Sequence, residues 1–537
     1  MLSNGLAVAA LCVVYALAGT IAHDPWKSVD AINLSIAANF AHGNGSFFAN
    51  SVVPFVAGEP WLGSPPLYHW VAALFGNLTA ALFGSDAWYH GARLASTFFN
   101  LIGLGAISLA ARGFYGRDAA LMAPLLAIGS LGLLVPVHEA QTATVSFAAA
   151  AGLLAALAWW EVHPRLAALT IALSLGAGFL GDGLTSLLPN LLIVLLALAY
   201  PRWRRVARSE WLLAGMLTFV LLAAWPLALW KVWPTGFSSW LDSEAASLIG
   251  TTVISLKRLQ LLAWGTWPVL PLAGWTIWIH RYRLMTGRYM LPISLSLAYL
   301  FSFLHGRDTG ENLINLIATL AILASASSDQ LRRGLASAFD WFSTMTLTLA
   351  MGLIWLAGIA IHFGIPARIA KNFTVPATGF IAEFTWPAFF LALAASVLWL
   401  AALVAMPRTP WRPISRWSIG VVAIWLLLVA LCLPWIDYGK SYRMPGAVLR
   451  EALGNYTGCI EGPSLGHGQR ASLELSAGIR NISTTTQGRC NYLLVQTTPT
   501  ATLNNPGWTE LLETSRPGDK NERLRLYRRD APSEKPR

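Results

Sequence analysis

Between His23 and Trp70 the chain gathers side chains that can move protons, hold a cation or grip a phosphate. Asp24, Asp30 and Glu59 are the carboxylates, Lys27 is a cation, and Tyr68 and His69 close the stretch in Pro65-Pro66-Leu67-Tyr68-His69-Trp70. A carboxylate beside a hydroxyl group can take its proton or ligate a divalent ion. A cation beside a departing phosphate stabilises the charge that develops there. A long polar and aromatic loop directly after an apolar segment is where a membrane enzyme keeps such groups. Each residue also has a plainer role. Asp24 can cap a helix or pair with Lys27, and Asp30 suits the first turn of a helix, where the dipole favours a carboxylate. Glu59, in Gly58-Glu59-Pro60, can satisfy local turn amides. Tyr68 and His69 can anchor an amphipathic helix at an interface.

More polar residues interrupt later apolar runs. His138 and Glu139 share one short turn, Asp182 lies in another, and Arg307 stands in His305-Gly306-Arg307-Asp308. The plain alternatives are a solvated turn for the first pair, a charge partner for Asp182 and an Arg307–Asp308 ion pair. Arg93 reads as an anchor at the start of a span. No zinc-type spacing of cysteines occurs. Cys12 and Cys432 fall inside apolar runs and suit packing. Cys459 and Cys490 form a disulfide if their segment faces an oxidising compartment, and are otherwise two buried thiols.

The elements that must position these groups are mostly apolar helices. The chain has 537 residues, 55% hydrophobic and 12% charged, with mean hydropathy +0.54. A soluble domain carries roughly 25% charged residues. Recurrent long apolar runs predict an all-α polytopic membrane protein. About thirteen spans are expected near 5–22, 91–111, 118–137, 144–161, 166–180, 184–200, 211–230, 259–279, 289–304, 313–327, 341–363, 385–406 and 418–436. The first is expected to be a retained helix, with a cleaved signal peptide as the alternative. Residues 66–83 are expected on the membrane surface as an amphipathic helix.

The net charge of +11 does not imply a nucleic-acid partner. Most of the basic residues are arginines in short loops, and with 66–83 kept out of the membrane the Arg-bearing loops at 112–117, 165, 202–208, 281–288, 332–333 and 408–416 fall on one side. That side is cytoplasmic together with the N-terminus. The loop 23–90, the turns at 138–143 and 181–183, and everything after residue 436 then face outward. Residues 437–530 read as a small α+β domain, with a helix at Pro445–Leu453 and strands at Ala471–Leu475, Tyr492–Gln496 and Leu524–Tyr527. Residues 531–537 read as a disordered tail. Residues 1–436 form the membrane domain in this reading.

Several motifs in order resemble the bacterial protein O-mannosyltransferase and lipid A aminoarabinose transferase superfamily, membrane glycosyltransferases of the C-type fold. They are the Asp-bearing first loop, the Gly58–Trp70 run, Ala92-Arg93-Leu94-Ala95-Ser96, Arg112-Gly-Phe-Tyr-Gly-Arg117 and Gly176–Leu180. The resemblance implies a bacterial inner-membrane enzyme with a periplasmic C-terminal domain. It would transfer a sugar from a polyprenyl-phosphate donor to a lipid, glycan or protein acceptor at the periplasmic face. Asp30 or Asp24, with Glu59, would be catalytic. Arg307 stands where family members keep a basic residue for the lipid phosphate. Lys27, Tyr68, His69, His138, Glu139 and Asp182 are the further substrate-binding candidates. A divalent cation is compatible with this chemistry, and no cofactor is assigned.

The departures fall on charged positions. The family's Asp-Glu pair is Val29-Asp30 here, or Asp24-Pro25 in another register. Its Glu-Lys before the two prolines is Gly63-Ser64, its Thr-Asp is Thr142-Ala143, and its Lys-Gly is Asp182-Gly183. Serine cannot supply the full charge of lysine to a phosphate, and alanine cannot take a proton. His138 and Glu139 stand next to the lost Asp and could replace it. The alternative reading is therefore a catalytically degenerate relative that binds a lipid or a protein partner. A transporter fits less well, because the spans hold few charges and no matched pair of broken helices.

Overall fold

The computed structural model describes residues 5–21, 23–42, 51–204, 208–248, 254–306, 309–485, 490–500 and 506–530. Apolar helices pack into a bundle around one large core that runs from Val8 to Cys432. Six described helices are long and apolar enough to cross a membrane: Ser85–Tyr115, Pro164–Ala199, Arg208–Val232, Arg333–Phe363, Trp386–Val404 and Arg412–Lys440. Shorter apolar helices, among them Gly5–Leu17, Ala143–Ala158 and Val269–Ile279, complete the bundle. The all-α membrane architecture expected from the apolar runs is the one observed.

Two expected spans are interrupted. The run 118–137 is helical only over Arg117–Ile128, followed by a short turn at Leu131–Leu133. The run 259–279 is two helices, Leu256–Gly265 and Val269–Ile279. Pro268 has no N–H to continue a helix, and Gly129 and Gly265 weaken the ends before each break. The two breaks meet. A Cβ on Gly132 would lie 2.9 Å from the Gly265 carbonyl, and Leu131 N–H donates to the Trp267 carbonyl at 3.4 Å. Broken backbone inside a bundle is tolerated where protein covers it in this way. A third interruption, at Asp182 and Gly183 (φ 59°), divides the Pro164–Ala199 run.

The helix Leu67–Phe83 leads through a tight turn into Trp88–Tyr115. Gly91 lets the two approach: a Cβ there would fall 1.5 Å from Thr79 Oγ1 and 2.7 Å from the Phe75 carbonyl. This contact sets the position of Arg93, half a turn further on.

The described residues between 443 and 530 form a five-stranded sheet with two helices. The strands are β3 (Ile460–Glu461), β4 (Ile482–Ser483), β5 (Tyr492–Thr497), β6 (Trp508–Thr514) and β7 (Arg523–Arg529), numbered after a small hairpin, β1 (Phe55–Val56) and β2 (Glu59–Pro60), in the opening loop. Their order is β4-β3-β5-β7-β6, with β3 parallel to both neighbours and the remaining pairs antiparallel. Cys459 and Cys490 are joined by a disulfide across 31 residues. The expected strand Ala471–Leu475 is instead part of the helix His467–Ala477. The Gln469 side chain accepts from the Gly466 N–H at its start, and Ala, Leu and Glu favour the helix over the alternation they also display. The opening loop shares a core with this domain: Ala31, Ile36, Val56 and Ala57 pack with Tyr442, Leu449, Ile460 and Leu473.

Candidate active site

Asp30 lies in the first turn of the helix Val29–His42, and Arg93 in the second turn of Trp88–Tyr115. Both are buried, at 1% and 0% exposure. Arg93 Nε and Nη2 donate to the two oxygens of Asp30 at 3.0 and 2.8 Å. Its remaining donors reach the carbonyls of His23 (2.7 Å) and Asp24 (2.9 Å). Asp30 also accepts from the backbone N–H of Trp26 at 2.9 Å and of Ala140 at 2.7 Å. Burial alone would raise its carboxyl, but the Arg93 charge and these hydrogen bonds reverse that and hold it below the usual range. A carboxylate with four donors and no exposed edge is a poor base. The pair instead fastens the opening loop, the Val29–His42 helix and the turn at 138–143 to one another.

Above this pair is a cavity of about 530 Å³, lined by His23, Asp24, Asp437, Ser441 and Arg443 among others. Asp437 Oδ1 accepts from Trp26 Nε1 at 2.6 Å and lies 3.9 Å from His23 Nδ1. His23 Nδ1 also lies 2.8 Å from the Asp24 carbonyl, which orients the ring. Burial and the Arg93 charge push His23 down to about 4, so it is neutral at pH 7. Lys440 rests its ammonium 4.3 Å from the Trp26 ring centroid. The Asp24 side chain is half-buried and accepts no hydrogen bond from any described residue. Two carboxyl groups, a neutral imidazole and an arginine thus line one cavity.

Glu139 lies close enough to Asp30 and Lys440 to feel both charges. Burial, then the Asp30 charge, raises its carboxyl to about 7. Its folded pKa is above the unfolded value, so the stability it contributes is complete below about pH 4.5 and is lost as the pH rises through 7. Glu139→Gln should therefore stand level with the wild type at pH 5 and exceed it by on the order of 1–3 kcal/mol at pH 8. Melting curves of both proteins from pH 5 to 8 read this directly, and parallel curves would exclude it.

The other expected site residues are held elsewhere. Glu59 pairs with Arg470 Nη1 at 2.5 Å and accepts from Thr484 N and Oγ1 at 2.6 and 2.9 Å, tying the β1–β2 hairpin to the C-terminal domain. Lys27 pairs with Glu522 at 3.3 Å. Tyr68 is buried and shares a 2.9 Å hydrogen bond with Ser96 Oγ. His69 Nε2 faces Asn33 Oδ1 at 2.9 Å, and burial pushes its ring down to about 3. Asn33 in turn donates to the Ala140 carbonyl at 2.8 Å. His138 is buried with its two nitrogens 2.6 Å from the carbonyls of Leu134 and Tyr15. Asp182 belongs to the break in Pro164–Ala199, where Leu184 N–H donates to Glu244 Oε2 at 2.7 Å. Arg307 lies outside the described residues. Of the sequence candidates, Asp24, Asp30, His138 and Glu139 are drawn to one region, whereas Glu59, Lys27 and Asp182 are not.

Sequence reasoning missed His23, Asp437, Lys440 and Arg443, and read Arg93 as an anchor only. Asp437, an acid just beyond the last apolar run, was the one available signal. Among the described residues no group of three or more His, Cys, Asp or Glu is arranged to hold a metal ion. An apolar groove of about 410 Å³ lies elsewhere in the bundle, walled by Leu188, Leu192, Leu248, Phe301 and Ser302 among others.

No protein-family model matches the chain, and no curated protein matches it by sequence. Solved structures do. ArnT from Cupriavidus metallidurans bound to undecaprenyl phosphate superposes with TM-score 0.67 at 15% identity, covering 97% of both chains. The apo form of ArnT from the same organism gives 0.66 at 16% identity, covering 97% of this chain and 96% of ArnT. Membrane helices and C-terminal domain are both included at that coverage. The chain has the fold of these ArnT structures.

Proposed function

We infer that the protein is a membrane glycosyltransferase that takes a sugar from a polyprenyl-phosphate donor and passes it to a lipid, glycan or protein acceptor. The observation that carries this reading is the meeting of Asp24 and Asp437 with His23 and Arg443 in one cavity of an ArnT-like fold. Asp24 takes the proton of the acceptor hydroxyl as its oxygen bonds to the anomeric carbon. The bond from that carbon to the phosphate oxygen breaks, and polyprenyl phosphate leaves. Arg443 is the cation in the cavity wall that offsets its charge. Asp437, held by Trp26, orients the loop that carries Asp24. In this reading the reaction takes place at the periplasmic face of a bacterial inner membrane, supported by the Arg-bearing loops expected on the opposite side and by the Cys459–Cys490 disulfide.

One observation favours the non-catalytic alternative: Asp30 and Glu59 are committed to ion pairs. Purified protein in lipid nanodiscs, given undecaprenyl phosphate carrying a radiolabelled sugar and a bacterial lipid extract as acceptor, separates the two. The transferase reading expects label in a new product and release of undecaprenyl phosphate. Saturable binding of the donor with no turnover would replace it with the lipid-binding reading.

A further inference from the structure

A second cavity, of about 400 Å³, lies where the opening loop meets the C-terminal domain. Asn39, His42, Tyr89, Glu474, Arg480 and Asn481 are in its wall. None of them lines the Asp24 cavity. Tyr89 lines one cavity and His90 the other, from successive positions in the first turn of the helix Trp88–Tyr115.

The chemistry of this second wall is mixed in a specific way. Glu474 is largely buried and accepts from Ser35 Oγ (2.5 Å), Asn39 Nδ2 (3.1 Å) and the Ala57 N–H (2.8 Å). These contacts fix its carboxyl group, which burial raises above the usual range. Arg480 is exposed, and its guanidinium has no hydrogen bond or ion pair to a described residue. Tyr89 and Phe55 bring aromatic rings, and Asn481 an amide. Ring faces receive the apolar side of a sugar. Amides and a carboxyl group receive its hydroxyls. An uncommitted guanidinium receives a carboxylate or phosphate in a bidentate fork.

We propose that this cavity binds a sugar ring bearing an acidic group, either a uronic acid or a sugar phosphate. As an acceptor subsite it rests on the transferase reading; as a binding site it does not. The ring lies against Tyr89 and its acidic group meets Arg480.

The test is saturation-transfer NMR on the full-length protein in detergent, with glucuronic acid, glucose 6-phosphate, glucose and inorganic phosphate as probes. Both acidic sugars should bind saturably, and better than glucose. Arg480→Gln should weaken them about tenfold or more while leaving glucose unchanged. Arg480 is exposed, so this variant keeps the fold, which its melting temperature verifies. Absence of saturable binding by both acidic sugars, equal binding by Arg480→Gln, or competition by inorganic phosphate as strong as that by glucose 6-phosphate would each overturn the proposal. Undecaprenyl phosphate affinity is measured on the same samples and should be equal in the two proteins. Its absence from both would sink the transferase reading and leave the sugar result standing.

Discussion

Arg93→Met should cost the protein about 3–5 kcal/mol of stability, the amount lost when one partner of a buried ion pair is removed. The charge left behind belongs to Asp30, at 1% exposure, and the carbonyls of His23 and Asp24 lose their donors at the same moment. Asp30→Asn should cost a comparable amount, because Arg93 then stays charged and unpaired at 0% exposure. The double variant Arg93→Met/Asp30→Leu should recover part of either loss, since no buried charge remains. Thermal unfolding in nanodiscs, with proteolysis of the 23–42 segment as a local probe, measures these differences. Single variants within about 0.5 kcal/mol of the wild type would show that the pair does not hold the loop. The result also bears on interpretation: loss of activity in Asp30→Asn is no evidence of a catalytic carboxylate unless the protein is shown to be folded.

Asp24→Asn should behave in the opposite way. Its side chain lines the cavity, is half-buried and accepts no hydrogen bond from a described residue, so the melting temperature should stay within about a degree of the wild type. Sugar transfer should fall by about 10²–10⁴-fold, the usual contribution of a positioned general base. Donor binding should be retained, because the amide keeps the shape of the acid. Full transfer activity in Asp24→Asn would remove Asp24 from the mechanism and move the role of base to Asp437 or Glu139.

Long apolar runs were legible because their signal is local: the helices Trp88–Tyr115 and Arg412–Lys440 need only their own residues to be recognised. The β5 and β7 strands were legible for the same reason. β6 was not, because most of its residues are exposed and lack a buried alternation. The interruption at Gly265–Pro268 was written in the residues, but the apolar count outweighed it. The site was harder. Asp30 was visible as a carboxylate, yet its role is decided by Arg93, 63 positions away. Glu59 read as a turn acid, and its partner Arg470 is 411 positions away. Lys27 had a phosphate in prospect, whereas Glu522 claims it. Spacing along the chain carries no information about such pairs, and motif order located the region without assigning its charges.

The contacts of the opening loop with the last membrane helix and the C-terminal domain have a consequence in time. Trp26 meets Asp437 across 411 positions, Ser35 meets Glu474 across 439, and Lys27 meets Glu522 across 495. A ribosome adding roughly 5–20 residues per second delivers Asp437 roughly 20–80 s after Trp26. During that interval the loop has emerged but lacks the partners that shape its cavity. The reactive groups are therefore assembled last, after the helices that carry them have been inserted, and a chain stalled before its final hundred or so residues would sit in the membrane without a finished site.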